Sequence, residues 1–184
     1  MRAFRYNTIP SSGFGVSSCD NQTLNFDPGT EELCLKEQTM ADSIELPTRL
    51  QEIVEEFSWA EGQEKLELLL EYSEKMPILP DWLNKETNME QVHECMTPVF
   101  VHAEQENGGM VFYFDVPPES PTVRGYATIL GEGLRGASPE QVLAVPGNFY
   151  MEMGLHKVLT TQRLNGIGAI LAYIKRLAGR ELSQ

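Results

Sequence analysis

Two strand-like runs stand side by side in this chain with helical sequence on either flank, and that order limits the fold more than any other feature. Val99-Phe100-Val101-His102-Ala103 and Val111-Phe112-Tyr113-Phe114 are rich in β-branched and aromatic residues. Between them, Asn107-Gly108 supplies two residues that tolerate positive φ, the requirement of a tight hairpin turn. The two strands are therefore antiparallel. A lone hairpin is marginal in water, so a third strand is expected, and residues 88–93 are the candidate for a short edge strand.

The flanking sequence changes period. After Pro47, which suits a first helical turn, Leu50, Ile53, Val54 and Phe57 recur at i, i+3, i+4 and i+7. Ser58-Trp59-Ala60-Glu61 has capping-box spacing and predicts the start of a second helix. Its buried face is expected at Leu66, Leu69, Leu70 and Ser73, with Met76 near its end and Pro77 and Pro80 stopping it. Beyond the hairpin, Ser120-Pro121 predicts a helix through Val123, Ala127, Ile129 and Leu130 to a stop near Gly133 or Gly136. Ser138-Pro139-Glu140-Gln141 opens a short one, and residues 148–153 a helical turn ended by Gly154. Thr160 or Thr161 caps the last helix. Leu164, Ile167, Ile170, Leu171, Ile174 and Leu177 keep its period, and Gly179 is the expected C-cap. Adjacent antiparallel strands bracketed by helices define an α+β fold, a small antiparallel sheet packed with flanking helices.

Residues 1–45 show no lasting period and mix Ser, Asn, Gly, Thr and Asp with isolated apolar residues. They read as a disordered or loosely packed N-terminal extension, and residues 46–184 as the organised domain. Met40 opens a stretch that also reads as a natural start. No apolar run approaches the roughly 20 residues of a membrane span. The net charge of −13 argues against nucleic acid, whose phosphates call for clustered Lys and Arg. Acids dominate from Glu52 to Glu94, whereas Lys157, Arg163, Lys175, Arg176 and Arg180 run without an acid among them. That asymmetry points to two faces of opposite potential and a protein partner, with a solvated helix that keeps the domain soluble as the alternative for the acidic half. The three cysteines, Cys19, Cys34 and Cys95, form no CxxC pair and no disulfide framework, which fits a reducing, cytosolic compartment.

Cys95 alone lies in organised sequence. Packing is the ordinary role of a lone cysteine. Its position argues otherwise: Pro98 forces Thr97 into extended geometry, so Cys95 sits in a loop feeding the sheet edge. A nucleophilic cysteine must be partly thiolate, and its free pKa is about 8.5. His93, His156, Arg124 and Arg163 are the candidate groups to lower it, and the adjacent Glu94 opposes them. A Cys–His hydrolase needs an oriented histidine and an oxyanion hole, and none of the three histidines falls in a recognisable motif. A metal site from His93, Cys95 and His102 lacks a fourth ligand.

The ordered landmarks from Leu46 to Ala178 resemble the SufE proteins of iron–sulfur cluster assembly. They are Leu46-Pro47, Trp59, Met76-Pro77-Ile78-Leu79-Pro80, the stretch Asn88, Val92, Cys95, Val99, then Val123-Arg124-Gly125, Pro139-Glu140, Phe149, Gly154-Leu155 and Leu159-Thr160-Thr161-Gln162-Arg163-Leu164-Asn165-Gly166-Ile167. This chain has Glu94, Thr97 and Phe100 where the family usually carries Gly, Ser and Trp. The resemblance implies a SufE-like fold and a sulfur acceptor. Cys95 would take persulfide sulfur from a pyridoxal-phosphate cysteine desulfurase of the SufS type, stimulate that enzyme and pass sulfur to a SufBCD-type scaffold. It implies no metal or organic cofactor on this chain. Met96, Phe100 and Phe149 would shelter the persulfide, and His93 and Arg163 would tune the thiol or touch the partner. A docking module with an inert cysteine is the alternative from another class.

Overall fold

The computed structural model describes residues 46–183. The expectations for residues 1–45, with Cys19, Cys34 and the start at Met40, lie outside these described residues. Helix α1 spans Thr48–Trp59 and α2 Gln63–Glu74. Strands β1 (Glu90–Gln91), β2 (Phe100–Glu106) and β3 (Gly109–Asp115) follow. Helix α3 (Pro121–Gly133), the short α4 (Pro139–Ala144), two single 3₁₀ turns at Phe149–Met151 and Leu155–Lys157, and α5 (Thr161–Glu181) complete the chain. None of the described helices is long and apolar enough to cross a membrane.

The sheet has the order β1-β2-β3, antiparallel throughout. Its central hairpin pairs Glu106 with Gly109 across Asn107 (φ 51°) and Gly108 (φ 84°). Two consecutive positive φ values match the right-handed twist of the strands, which is why Asn-Gly closes this turn. The third strand is the predicted one, reduced to two residues. Glu90 and Gln91 pair with Val101 and Phe100.

Helix α3 is the centre of the packing. Val123, Tyr126, Ala127, Ile129 and Leu130 are all buried on it. It packs against α1 and α2 as well as against β3 and α5. The approach of α2 is close because residue 125 is glycine. A Cβ there would lie 2.0 Å from the carbonyl oxygen of Leu69. Leu50, Phe57, Leu69, Tyr126, Phe149, Ile167 and Ile174 belong to one continuous core.

Three local expectations are corrected. Helix α1 runs on through Ser58 and Trp59, and the Ser58 hydroxyl donates to Glu55 O instead of capping a new helix. The break falls at Ala60, whose backbone is extended (ψ 148°), Gly62 at φ 47° turns the chain into α2, and the Glu64 carboxylate accepts from the Glu61 amide. The capping interaction thus exists three residues later than read. The buried face of α2 differs from the expected one: Leu70 is 47% exposed while Lys65 and Tyr72 are buried with Leu69 and Ser73. The buried Lys65 ammonium donates to Phe57 O, a carbonyl of the last turn of α1. Finally, α5 does not stop at Gly179 but continues to Glu181, with Arg180 tied to Glu90 on β1.

Candidate functional site

The connection between β1 and β2 carries Cys95. The Val92 amide donates to Val99 O at 2.9 Å, one rung beyond the paired strand residues. Residues 93–98 therefore form the tip of a second hairpin. Within it the Cys95 amide donates to Val92 O at 3.3 Å, folding the tip back on itself. His93, Glu94, Met96 and Pro98 point to solvent, whereas Cys95 is only 7% exposed.

What buries the thiol is α5. A Cβ on Gly166 would stand 3.2 Å from Cys95 Sγ, so the sulfur occupies the space left by the missing side chain. The sulfur opens onto a cleft of about 490 Å³. Its walls are Met96 and Thr97 of the loop, residues 119–123 at the start of α3, and Thr160, Gln162, Arg163 and Gly166 at the start of α5. Two helix N-termini thus meet at the cleft, with Ser120 at the head of one and Thr160 at the head of the other. Each contributes partial positive charge from unpaired backbone amides.

The electrostatics pull in opposite directions. Burial pushes the Cys95 thiol up from its ordinary pKa, and hydrogen bonds from the Thr97 amide and hydroxyl pull it back. Removing a thiolate from water is unfavourable, and two donors restore only part of that. Alkylation of Cys95 in the native protein should therefore rise with pH about a midpoint above the ordinary thiol value. A raised pKa means the seated thiol stabilises the closed loop fully below the unfolded value. That contribution fades as pH climbs through the raised one. Iodoacetamide labelling followed at the Cys95 peptide, native against urea-unfolded, measures the difference. Equal midpoints would contradict the burial.

The predicted helper residues separate in space. Arg163 lines the cleft, exposed and without a carboxylate partner among the described residues. Arg124 is turned away from it: Nε donates to Ser73 O at 3.0 Å and Nη1 to Val116 O, joining the end of α2 to the strand exit. His93 is exposed at the tip and does not line the cleft. His156 is exposed in the second 3₁₀ turn, and His102 Nδ1 lies 2.8 Å from Asn88 O. The cleft thus has no imidazole wall, which removes the base a Cys–His hydrolase would use. Among the described residues no cluster of three or more His, Cys, Asp or Glu is placed to hold a metal ion.

Of the three residues expected to shelter the sulfur, Met96 alone lines its cleft. Met96 is at the cleft but 83% exposed, with Gln162 Nε2 2.7 Å from its sulfur. Phe100 faces a different hollow beside Lys85 and Asp115. Phe149 is buried against Tyr126 in the core, ring centres 5.7 Å apart. Gly166, Thr97 and the two helix starts form the rest of the wall around the sulfur. One signal for Gly166 was available. A glycine inside a strongly helical run costs about 1 kcal/mol relative to alanine and calls for a packing reason.

Taken together, the fold and the site define a small α+β protein that displays one guarded thiol on a hairpin tip. The chain belongs to the SufE family. The family model described as a Fe-S metabolism associated domain matches residues 51–178. An uncharacterized SufE-like protein of Mycobacterium tuberculosis is 44% identical over 132 residues, 71% of this chain and 92% of that one. The cysteine desulfuration protein SufE of Plasmodium vivax is 30% identical over 103 residues, 55% of this chain and 40% of that one. The solution structure of a hypothetical protein from Thermus thermophilus superimposes with a TM-score of 0.67 at 40% identity, covering 76% of this chain and all of that one. Family membership places the chain in Fe–S metabolism.

Proposed function

We propose that this protein is a sulfur acceptor for a cysteine desulfurase and that Cys95 carries the sulfur. The observation that supports this best is the placement of a buried thiol on a tip whose neighbouring residues are exposed. Such a loop can hold the sulfur in a cleft and deliver it by moving a few residues. The Cys95 thiolate attacks the outer sulfur of the donor's persulfide. A bond forms between Cys95 Sγ and that sulfur, the donor's S–S bond breaks, and the donor cysteine leaves as thiolate. The proton on the outer sulfur travels with it, so no net oxidation occurs. Thiolate fraction and access set the rate of such exchange. The donor is a SufS-type pyridoxal-phosphate enzyme, which the acceptor stimulates by removing its persulfide. A SufBCD-type scaffold receives the sulfur next, in a reducing compartment such as the cytoplasm. Arg163, beside the thiol, is the residue here best placed to meet the partner, while His93 can touch it from the loop tip.

The test is direct. Incubation with a desulfurase and cysteine should add about 32 Da, one sulfur atom, to the peptide holding Cys95. Cys95→Ser should abolish both that increment and the stimulation. The deep burial of the thiol favours a second reading, a docking module with an inert cysteine. Intact binding without the added mass would select it.

A further inference from the structure

The loop that carries Cys95 is not held by burial alone. Side chains of residues 90–96 bridge to α5 at several points. Met96 meets Gln162, Cys95 faces Gly166, Glu94 meets Arg176 at 3.2 Å, and Glu90 meets Tyr173 and Arg180. The two acidic contacts differ in kind. Glu90 accepts from the Tyr173 hydroxyl at 2.6 Å and from Arg180 Nη1 at 2.7 Å, on a strand paired with β2. Glu94 has a single ion pair among the described residues, both partners are about half exposed, and it lies in the tip beyond the last ladder rung.

We infer that Glu94–Arg176 is a latch on the sulfur-carrying loop: its opening frees Cys95 from α5 while Glu90 keeps the base of the hairpin anchored. The inference rests on the reading that Cys95 must leave its cleft to exchange sulfur. Arg176 stays with its helix, because its guanidinium lies over the Tyr173 ring at 4.5 Å. Glu94 is the member that travels with the loop. The competitor that opens the latch is therefore a cationic side chain on the partner, taking Glu94 from Arg176. An exposed pair of this kind is a weak restraint, worth roughly 1.5- to 5-fold in an equilibrium. That suits a latch a docking partner must undo.

Neutral iodoacetamide, followed at the Cys95 peptide of the full chain, reads loop opening without any desulfurase. Glu94→Gln and Arg176→Gln should each accelerate labelling by about two- to fivefold, and the exchanged pair Glu94→Arg with Arg176→Glu should restore the slow rate. Added salt should speed the wild type and leave the single variants nearly unchanged. Simple tuning of the thiolate predicts otherwise: losing the acid would speed labelling and losing the base would slow it. Opposite effects of the two variants, or none, would overturn the latch. Because this assay contains no sulfur donor, its failure would leave sulfur acceptance standing. Failure of Cys95 to gain sulfur would overturn the proposed function and leave the labelling result intact.

Discussion

Gly125→Ala should lower the stability of the folded domain by about 2 kcal/mol, the upper end of the usual overpacking range less what helix propensity returns. The reason is the one closest approach in the helical layer. The added methyl would sit 2.0 Å from the Leu69 carbonyl oxygen and 2.9 Å from its carbon. Both are backbone atoms of α2, so no rotamer change relieves the contact; α2 must shift away from α3. Alanine's better helix propensity returns only about 1 kcal/mol. The net loss corresponds to a fall in Tm on the order of 10 °C for a domain of this size. Gly168→Ala is the control. It adds the same methyl to a helix, but the first atom met is a Tyr150 ring carbon at 4.0 Å, so thermal unfolding should be unchanged or slightly raised. If Gly125→Ala melted with the wild type, α2 and α3 would not pack as described.

Residues that act on their own neighbours were legible in the sequence. Asn107-Gly108 fixed the hairpin because positive φ is a local demand. Ser138-Pro139 opened its short helix where that start signal put it, with Gln141 closing a capping box. Capping-box spacing at Ser58 misled, since α1 runs on through Trp59 and the next helix starts only after Gly62 turns the chain. Leu70 shows the next limit. Its hydropathy argued for burial, but the packing of α2 against α3 through Leu69 and Gly125 turned another face inward. Contacts between distant segments were beyond reach. The bases on α5 suggested a face opposed to the acidic half, yet Arg176 and Arg180 reach across to Glu94 and Glu90. Cys95 could be singled out by its position before the strand. Gly166 could be suspected of a packing role, as a glycine inside a helical run, but its partner could not be read, because nothing local links residue 95 to residue 166.

Gly166→Ala should separate stability from reactivity. The alanine methyl would stand 3.2 Å from Cys95 Sγ, closer than carbon and sulfur ordinarily pack. One of the two must yield. Residue 166 is in the interior of a 21-residue helix, whereas Cys95 is in an irregular loop with exposed neighbours. The thiol moves, and the only room lies outward into the cleft. Overpacking of this size is worth about 1–3 kcal/mol, partly relieved by loop movement, so the open form should gain on the order of tenfold in population. Labelling of Cys95 should rise by the same factor. The helix itself gains up to about 1 kcal/mol from replacing glycine, which holds the global Tm level or raises it. Gly166→Val should push further in labelling and, being β-branched, lose that helical benefit. Faster labelling at undiminished Tm is the expected pair of results. A higher Tm with unchanged labelling would mean that the sulfur does not rest on α5.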